Sequence, residues 1–431
     1  MSRSVVQSVA VAAKGKGASN LARRARAIGA RYGIGPQRME RRLGAVLDIM
    51  DRFDCGATLP ITAAAVERNP HVIARYAELG IEFAVHGHYH VDHVGLAPAD
   101  QVSQLGRARR ILQDHGIPAM GFRAPYLRWN AATIDALREQ GFLYDSSQAM
   151  NWPIAPELET EAYRRGLTFC DALPATEHAV LPRIDRGIVR IPCCLPDDEA
   201  AVDRLRLTSS EPIADLWLDM LRSTHERGEL FTLAVHPERI DVCGPAIATV
   251  LSAARATTPA VWIARLDELA RWWSARASST ISVRDEGGGL FRITVRGPSG
   301  STVLARGLEV PGSEPWDDGT RLVRSSTFVL RSGVRPTIGL HPASSDRLGA
   351  FLREQGYIVE AATTAHDHAV FLHLDRFSRM DERPLLDQLE TGPFPILRKG
   401  RWPDGAKSAL AVTGDVDALT IWDYALRFLG R

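Results

Sequence analysis

Apolar positions recur at helical spacing from residue 37 onward and alternate with short continuous apolar runs. Met39, Leu43, Val46, Leu47 and Met50 form one stripe and predict a helix. Ala57-Thr58-Leu59-Pro60-Ile61 predicts a short strand. Asn69 reads as a cap and Pro70 as a first-turn proline, ahead of a stripe of Val72, Ile73, Tyr76 and Leu79 that Gly80 stops. Ile81-Glu82-Phe83-Ala84-Val85 is the next strand. A helix over 99–115 would bury Val102, Leu105, Ile111 and Leu112 and end at Gly116. The stretch 121–126 reads as a strand running into a loop, Asn130 caps a helix ending at Gly141, and 142–145 is a further strand. The stretch 150–210 reads as irregular, with one strand at 187–192. A helix over 211–227 then buries Ile213, Leu216, Trp217 and Met220, and the run from Leu230 is apolar until His236. Another helix, a strand at 261–264 and a helix through Trp272 and Trp273 complete the series. This strand–helix rhythm predicts an α/β fold with a parallel, barrel-like sheet.

The texture changes at about 276. Residues 280–284 and 290–295 alternate with period two around Gly287-Gly288-Gly289, a hairpin signature. From 335 the α/β rhythm returns: strands at 337–340, 357–359 and 370–372, with Ser345 capping a helix that Gly356 ends. Near the end, Ser408-Ala409-Leu410-Ala411-Val412-Thr413 reads as a buried strand. A helix over 419–430 follows, with Trp422, Ala425, Leu426 and Leu429 on its packing face. Five segments result. These are a basic arm over 1–36, with a frayed helix around 21–32, and the main α/β domain over 37–275. A β-rich accessory domain spans 276–334 and a small α/β segment 335–396. The last segment, 397–431, supplies a strand and helix that complete the main domain.

Composition narrows the function. The 431 residues carry a net charge of +1, which gives no field for nucleic acid or an acidic membrane. No window approaches 18 continuous apolar residues, so no transmembrane helix is expected. The weak apolar patch Ser8–Ala13 is followed by basic residues rather than a cleavage site, and the five cysteines have no framework spacing. Both point to a cytoplasmic protein with reduced thiols.

Candidate chemistry gathers at strand ends. The stretch 86–93, His-Gly-His-Tyr-His-Val-Asp-His, holds four of the 13 histidines. His86 and His90 are four apart, which on a helical turn puts both rings on one face. Such a pair could supply two of the ligands that a zinc-type site needs. Asp415 and Asp417, two apart after the 408–413 strand, would point the same way in an extended chain. One could ligate a metal while the other takes a proton from water. Taken singly, each feature has a plain structural reading as well: solvent-facing histidines, a loop-capping aspartate pair, a surface ion pair at Arg123, a packed Tyr126, a core histidine at His236.

Together these pieces resemble the polysaccharide deacetylases of carbohydrate esterase family four. The motifs are Thr413-Gly414-Asp415-Val416-Asp417, His86 to His90, Arg123-Ala124-Pro125-Tyr126 and Leu233-Ala234-Val235-His236, and the resemblance covers about 40–275 and 397–431. In that family the aspartate strand comes first. Here it comes last, so the order looks circularly permuted, with Trp402 to Lys407 resembling the usual opening of the domain. The resemblance implies a distorted (β/α) barrel completed by a C-terminal strand, interrupted by a β-rich and a small α/β insertion. It implies that Asp417, His86 and His90 hold a divalent ion, zinc first among the candidates. Asp415 would be the general base, tuned by Arg123, and His236 the general acid. Pro125 and Tyr126 would form the substrate and oxyanion site, with the Tyr126 backbone N–H as donor. The family's Asp-and-Trp element that tunes the late histidine is matched only partly, by Tyr144-Asp145-Ser146-Ser147 with Trp152, so no tuning residue is assigned. The implied activity is removal of N-acetyl groups from an N-acetylated sugar or polysaccharide precursor. Rivals are an O-acetyl esterase, a cyclic-amide hydrolase, or a non-catalytic carbohydrate-binding relative. The glycan, the chain length and the oligomeric state are not readable.

Overall fold

The computed structural model describes residues 31–426. The helix expected around 21–32 and most of the basic arm lie outside that range. Helix α1 (Gln37–Arg52) buries Met39, Leu43, Val46, Ile49 and Met50 and leads into β1 (Ala57–Ile61). A short helix that periodicity missed, α2 (Ala63–Arg68), precedes α3 (Pro70–Glu78). Its Ala-Ala-Ala-Val opening is buried throughout, so it has no polar face to set a period. Pro70 opens α3, but Asn69 does not cap it. The Asn69 side-chain amide donates instead to the Ala65 carbonyl at 3.0 Å and to Asp423 at 3.1 Å.

The series continues through β2 (Glu82–Val85), α4 (Pro98–Asp114), β3 (Gly121–Phe122), α5 (Ala131–Glu139) and β4 (Tyr144–Asp145). Asn130 and Thr133 form a capping box at the start of α5. The stretch expected to be irregular is more ordered than its sequence suggests. It holds β5 (Ala149–Asn151), α6 (Glu161–Phe169) and β6 (Leu173–Pro174), then β7 (Arg183–Asp185), β8 (Ile188–Arg190) and β9 (Cys193–Leu195). These strands have two or three residues, too few to show a period. Then come α7 (Ser210–Glu226), β10 (Leu230–Ala234), α8 (Ile240–Ala256), β11 (Val261–Ile263) and α9 (Leu266–Ala277).

The main sheet has the order β10-β22-β1-β2-β3-β4-β8-β7, where β22 (Ser408–Thr413) is the late apolar strand and β11 pairs with its first half. Leu230 to Ala234 of β10 run parallel beside Ala409 to Thr413, and Ala57 and Thr58 of β1 pair with Val412 and Thr413 on the other edge. All six residues of β22 are buried, as a strand between two neighbours and two packed faces requires. The sheet is parallel through most of its width, as the rhythm suggests, and curls into a half-barrel. Among the described residues its end strands β7 and β10 do not pair. The reason lies at β7: it is the antiparallel hairpin partner of β8, which ends the parallel series.

Residues 280–331 form two antiparallel sheets. Strands β12 (Thr280–Gly287), β13 (Leu290–Arg296) and β17 (Thr327–Arg331) make one. The other contains β14 (Val303–Arg306), β15 (Glu314–Asp317) and β16 (Thr320–Val323). The two share a core that includes Phe291, Ile293, Val303, Ala305, Phe328 and Leu330. A small parallel sheet of β18 (Arg335–Leu340), β19 (Val359–Ala361) and β20 (His368–Leu372) follows, with helices α10 (Asp346–Glu354) and α11 (Arg379–Thr391). Ser345 stands at the N-cap of α10 without a side-chain cap bond. Strand β21 (Ile396–Lys399) pairs with β14, so residues expected to begin the last segment complete the accessory sheet instead.

Helix α12 (Ile421–Leu426) follows β22, and its packing face is not the expected one. Trp422 is 57% exposed, whereas Asp423 is buried and accepts from Arg68 at 2.6 Å and from the backbone of Thr420 at 2.9 Å. Ile421 and Tyr424 pack on the core. A buried, fully bonded carboxylate fixes the helix's rotation, which an apolar stripe alone could not reveal. No helix among the described residues is long and apolar enough to cross a membrane.

Candidate active site

Four strand ends converge. β22 delivers Asp415 and Asp417, β2 delivers His86, β3 delivers Arg123 and β10 delivers His236. β22 and β10 approach so closely that a Cβ on Gly414 would lie 1.7 Å from the Val235 carbonyl oxygen and 3.3 Å from the His236 nitrogen. The 86–93 stretch is a loop and not the helical turn considered for His-x-x-x-His. Gly87 takes φ +81°, a conformation that favours glycine, and its carbonyl accepts from Ala63 N at 3.0 Å. The His88 carbonyl accepts from Ala64 N at 3.1 Å, so the start of α2 holds the loop in place.

The loop sets the rings 5.1 Å apart between centroids. Nε2 of His86 lies 3.6 Å from Asp417 Oδ1, and Nε2 of His90 lies 3.3 Å from the same oxygen. One ligand atom from each of the three lies within 4.8 Å of the others, and this is the one such cluster among the described residues. Two donors bound about 2.0–2.1 Å from one tetrahedral ion stand about 3.4 Å apart. The three residues therefore fit a zinc-type ion. A further observation supports the fit. Nδ1 of His86 is 2.8 Å from the Arg123 carbonyl oxygen, so it carries the proton. That leaves a bare lone pair on Nε2, which is buried, lacks a hydrogen-bond partner and faces the Asp415 and Asp417 carboxylates at 3.6 Å. A lone pair facing two carboxylates is repulsive unless a cation lies among them. His88 and His93 stand outside the cluster. Burial pushes their pKa values down to about 4 and about 3, so both are neutral.

Asp415 is held by Arg123, whose Nη1 donates to Oδ1 at 3.0 Å. Arg123 is 1% exposed and also donates to Thr413 Oγ1, the Ser146 carbonyl and the Ser146 hydroxyl, each at 3.1 Å. Burial opposes its charge. The neighbouring Cys193 thiol is itself pushed up to about 12 by burial and stays neutral. Asp415 is therefore the charge that keeps Arg123 a cation. Pro125 opens a short turn in which Tyr126 takes φ +61°, a strained value for a non-glycine residue. The Tyr126 ring meets His90 edge-on at 4.4 Å.

The structure supplies the partner of His236 that sequence reasoning left unassigned. Asp198, fully buried, lies with Oδ1 2.7 Å from His236 Nδ1, and its Oδ2 accepts from the His236 backbone at 2.9 Å. Arg239 braces that same oxygen at 3.3 Å. Burial would lower the pKa of His236, but the Asp198 carboxylate outweighs it and lifts it well above the ordinary value. The sequence signal was an acidic pair, Asp197-Asp198, which Pro196 separates from the apolar run Ile191 to Leu195. Asp145, the partial match, serves elsewhere. It pairs with Arg190 at 2.7 Å and accepts from Ser147, whose hydroxyl accepts from Ala124 N at 2.8 Å. It thus supports the Arg123 loop.

Residues 24–144 match the family model for polysaccharide deacetylases. A peptidoglycan deacetylase-like protein of Gibberella zeae is 33% identical over 108 residues, 24% of this chain and 32% of the relative. The chain thus spans about a third of that relative's length. Among solved structures, the Puue allantoinase superposes with a TM-score of 0.44 at 20% identity, over 54% of this chain and 72% of that one. A probable polysaccharide deacetylase from Pseudomonas aeruginosa PAO1 gives a TM-score of 0.44 at 21% identity, with the same coverages of 54% and 72%. The matched segment carries His86, His90 and Arg123, and over it the chain is similar to the polysaccharide deacetylases.

Proposed function

We propose that the protein is a metal-dependent hydrolase that removes N-acetyl groups from an N-acetylated sugar or polysaccharide precursor, and that its domain is a circular permutation of the family's. One observation carries the reading: the bare Nε2 of His86 aimed at Asp417 and Asp415, with His90 beside them. Asp417, His86 and His90 would hold a divalent ion, zinc by preference. Once bound, the ion would supply a Lewis acid for the acyl carbonyl and lower the pKa of water.

The remaining steps belong to side chains and backbone. Asp415, held in place by Arg123, takes a proton from the attacking water. The backbone N–H of Tyr126 donates to the carbonyl oxygen as negative charge develops there, with Pro125 fixing the turn. Protonated His236 gives its proton to the departing amine, and Asp198 keeps that proton in place until then. The water's oxygen leaves with one of its protons as acetic acid, which ionises to acetate in solvent; the other proton, held on Asp415, passes through solvent to His236 and replaces the one given to the amine. Metal analysis of the purified protein, with acetate release measured on N-acetylglucosamine oligomers, O-acetylated sugars and a cyclic amide, tests the reading. About one metal ion per chain and release from the N-acetyl substrates support it. Release from the O-acetyl sugars alone, turnover of the cyclic amide alone, or no bound metal would replace it by one of its rivals.

A further inference from the structure

Away from that site, α10, α11 and the segment leading into β7 enclose a cavity of about 280 Å³. Three arginines line it: Arg183 at the start of β7, Arg347 in the first turn of α10 and Arg379 at the start of α11. Arg347 is paired with Glu382 at 2.9 Å. Neither Arg183 nor Arg379 has a carboxylate within 4.0 Å among the described residues. The other lining acid, Glu354, is engaged by protein donors. Its Oε1 accepts from Ile184 N at 2.7 Å and from the Trp273 indole at 3.4 Å, and burial raises its pKa. The cavity therefore holds more positive than negative charge. Burial and then the neighbouring Arg183 push Arg379 down to about 10, the direction that crowded cations produce.

One more observation points to a ligand. Gln355 lines the cavity at 4% exposure, and its Oε1 has no hydrogen-bond partner. A buried amide left unsatisfied is costly, and a half-turn of the amide lets it offer either a donor or an acceptor.

We propose that this cavity binds an oxyanionic group, the phosphate or carboxylate of a small polar molecule. Arg183 and Arg379 supply the charge, Arg347 the rim, and Gln355 the neutral hydrogen-bonding group. The volume lies below that of a typical drug-sized pocket, which limits the ligand to about the size of a single charged sugar. The inference does not depend on the deacetylase reading, since no residue of the metal cluster takes part.

Calorimetric titration of the full chain at low ionic strength tests it, with inorganic phosphate, D-glucuronate and neutral D-glucose as probes. Saturable binding of phosphate or glucuronate is expected, with none of glucose, and the stronger of the two identifies the source. Arg379→Gln and Arg183→Gln should each weaken it about tenfold or more, because each removes a charged hydrogen-bonding partner. Arg138→Gln, on an exposed helix face, should leave it unchanged. Should Arg379→Gln fail to fold, Arg183→Gln decides alone. The proposal is overturned by absence of saturable binding of either anion, or by binding that survives both substitutions. It is equally overturned if Asp417→Asn abolishes the binding, which would place the anion at the metal cluster.

Discussion

Gly414 and Val235 stand closer than any side chain would permit: a Cβ on Gly414 would sit 1.7 Å from the Val235 carbonyl oxygen and 2.6 Å from its carbon. Both obstacles are backbone, so no rotamer change relieves them. Gly414→Ala must push β22 from β10 just where Asp415 and His236 leave their strands. A loss of about 3 kcal/mol or more is expected. Urea unfolding reads it, and a variant as stable as the wild type would mean that the two strand ends are not so tightly joined.

Asp415 and Asp417 should separate cleanly by substitution. Asp417→Asn is expected to release the metal and to lower activity at least about 100-fold. Asp415→Asn is expected to retain the metal and still lose about 100-fold or more in rate. Metal content and acetate release, measured on the same preparations, distinguish them. If Asp415→Asn strips the metal and the remaining rate tracks occupancy, Asp415 is a ligand and the roles are reversed.

His236 gives a prediction in pH. Its pKa is raised by Asp198 above the ordinary 6.5, against the pull of burial. Asp198→Asn removes the carboxylate and leaves the burial, so the His236 pKa should fall. The high-pH limb of kcat/KM should then move to lower pH by about one unit or more. Stability carries the same sign. In the wild type the raised pKa of His236 stabilises fully below 6.5, and this contribution is lost as pH rises through the raised value. The lowered pKa of Asp198 contributes above 3.8 and is lost as pH falls through its folded value. An unmoved limb would remove His236 from the acid role.

The order of segments can itself be tested. A rearranged chain with 401–431 placed ahead of residue 37, which leaves β21 in the accessory sheet, should fold and bind metal, because β22 needs only to lie between β1 and β10. Circular dichroism and metal content check it. A rearranged chain that folds but holds no metal would count against the permutation.

Much of this architecture is legible because β1, β2, β10 and β22 are buried apolar runs that end in polar residues. A parallel strand between two helical layers must look like that. Asp198 was not legible for a specific reason. Its distance from His236 in sequence is bridged by the π-helical turn at Ala200–Arg204 and by α7, and no spacing rule spans such a connection. How the sheet ends was not legible because that depends on the direction of β7, three residues long, whose pairing is set by a two-residue turn at Arg186 and Gly187. Trp422 misled because a stripe of large apolar residues was weighed without the Asp423 carboxylate, whose bonds to Arg68, Asn69 and the start of α12 decide the rotation.

The position of β22 also bears on how the protein is made. Every other strand of the sheet precedes it in the chain, yet it is inserted between two of them, β10 and β1. Until its residues leave the ribosome, the edges of β1 and β10 have no partner and present unpaired backbone groups to other nascent chains. Joining them then requires contacts across most of the sequence, a slow step by the logic of loop closure. A truncated translation product would carry the histidines without the carboxylates, so an unfinished chain cannot assemble the His86–His90–Asp417 cluster.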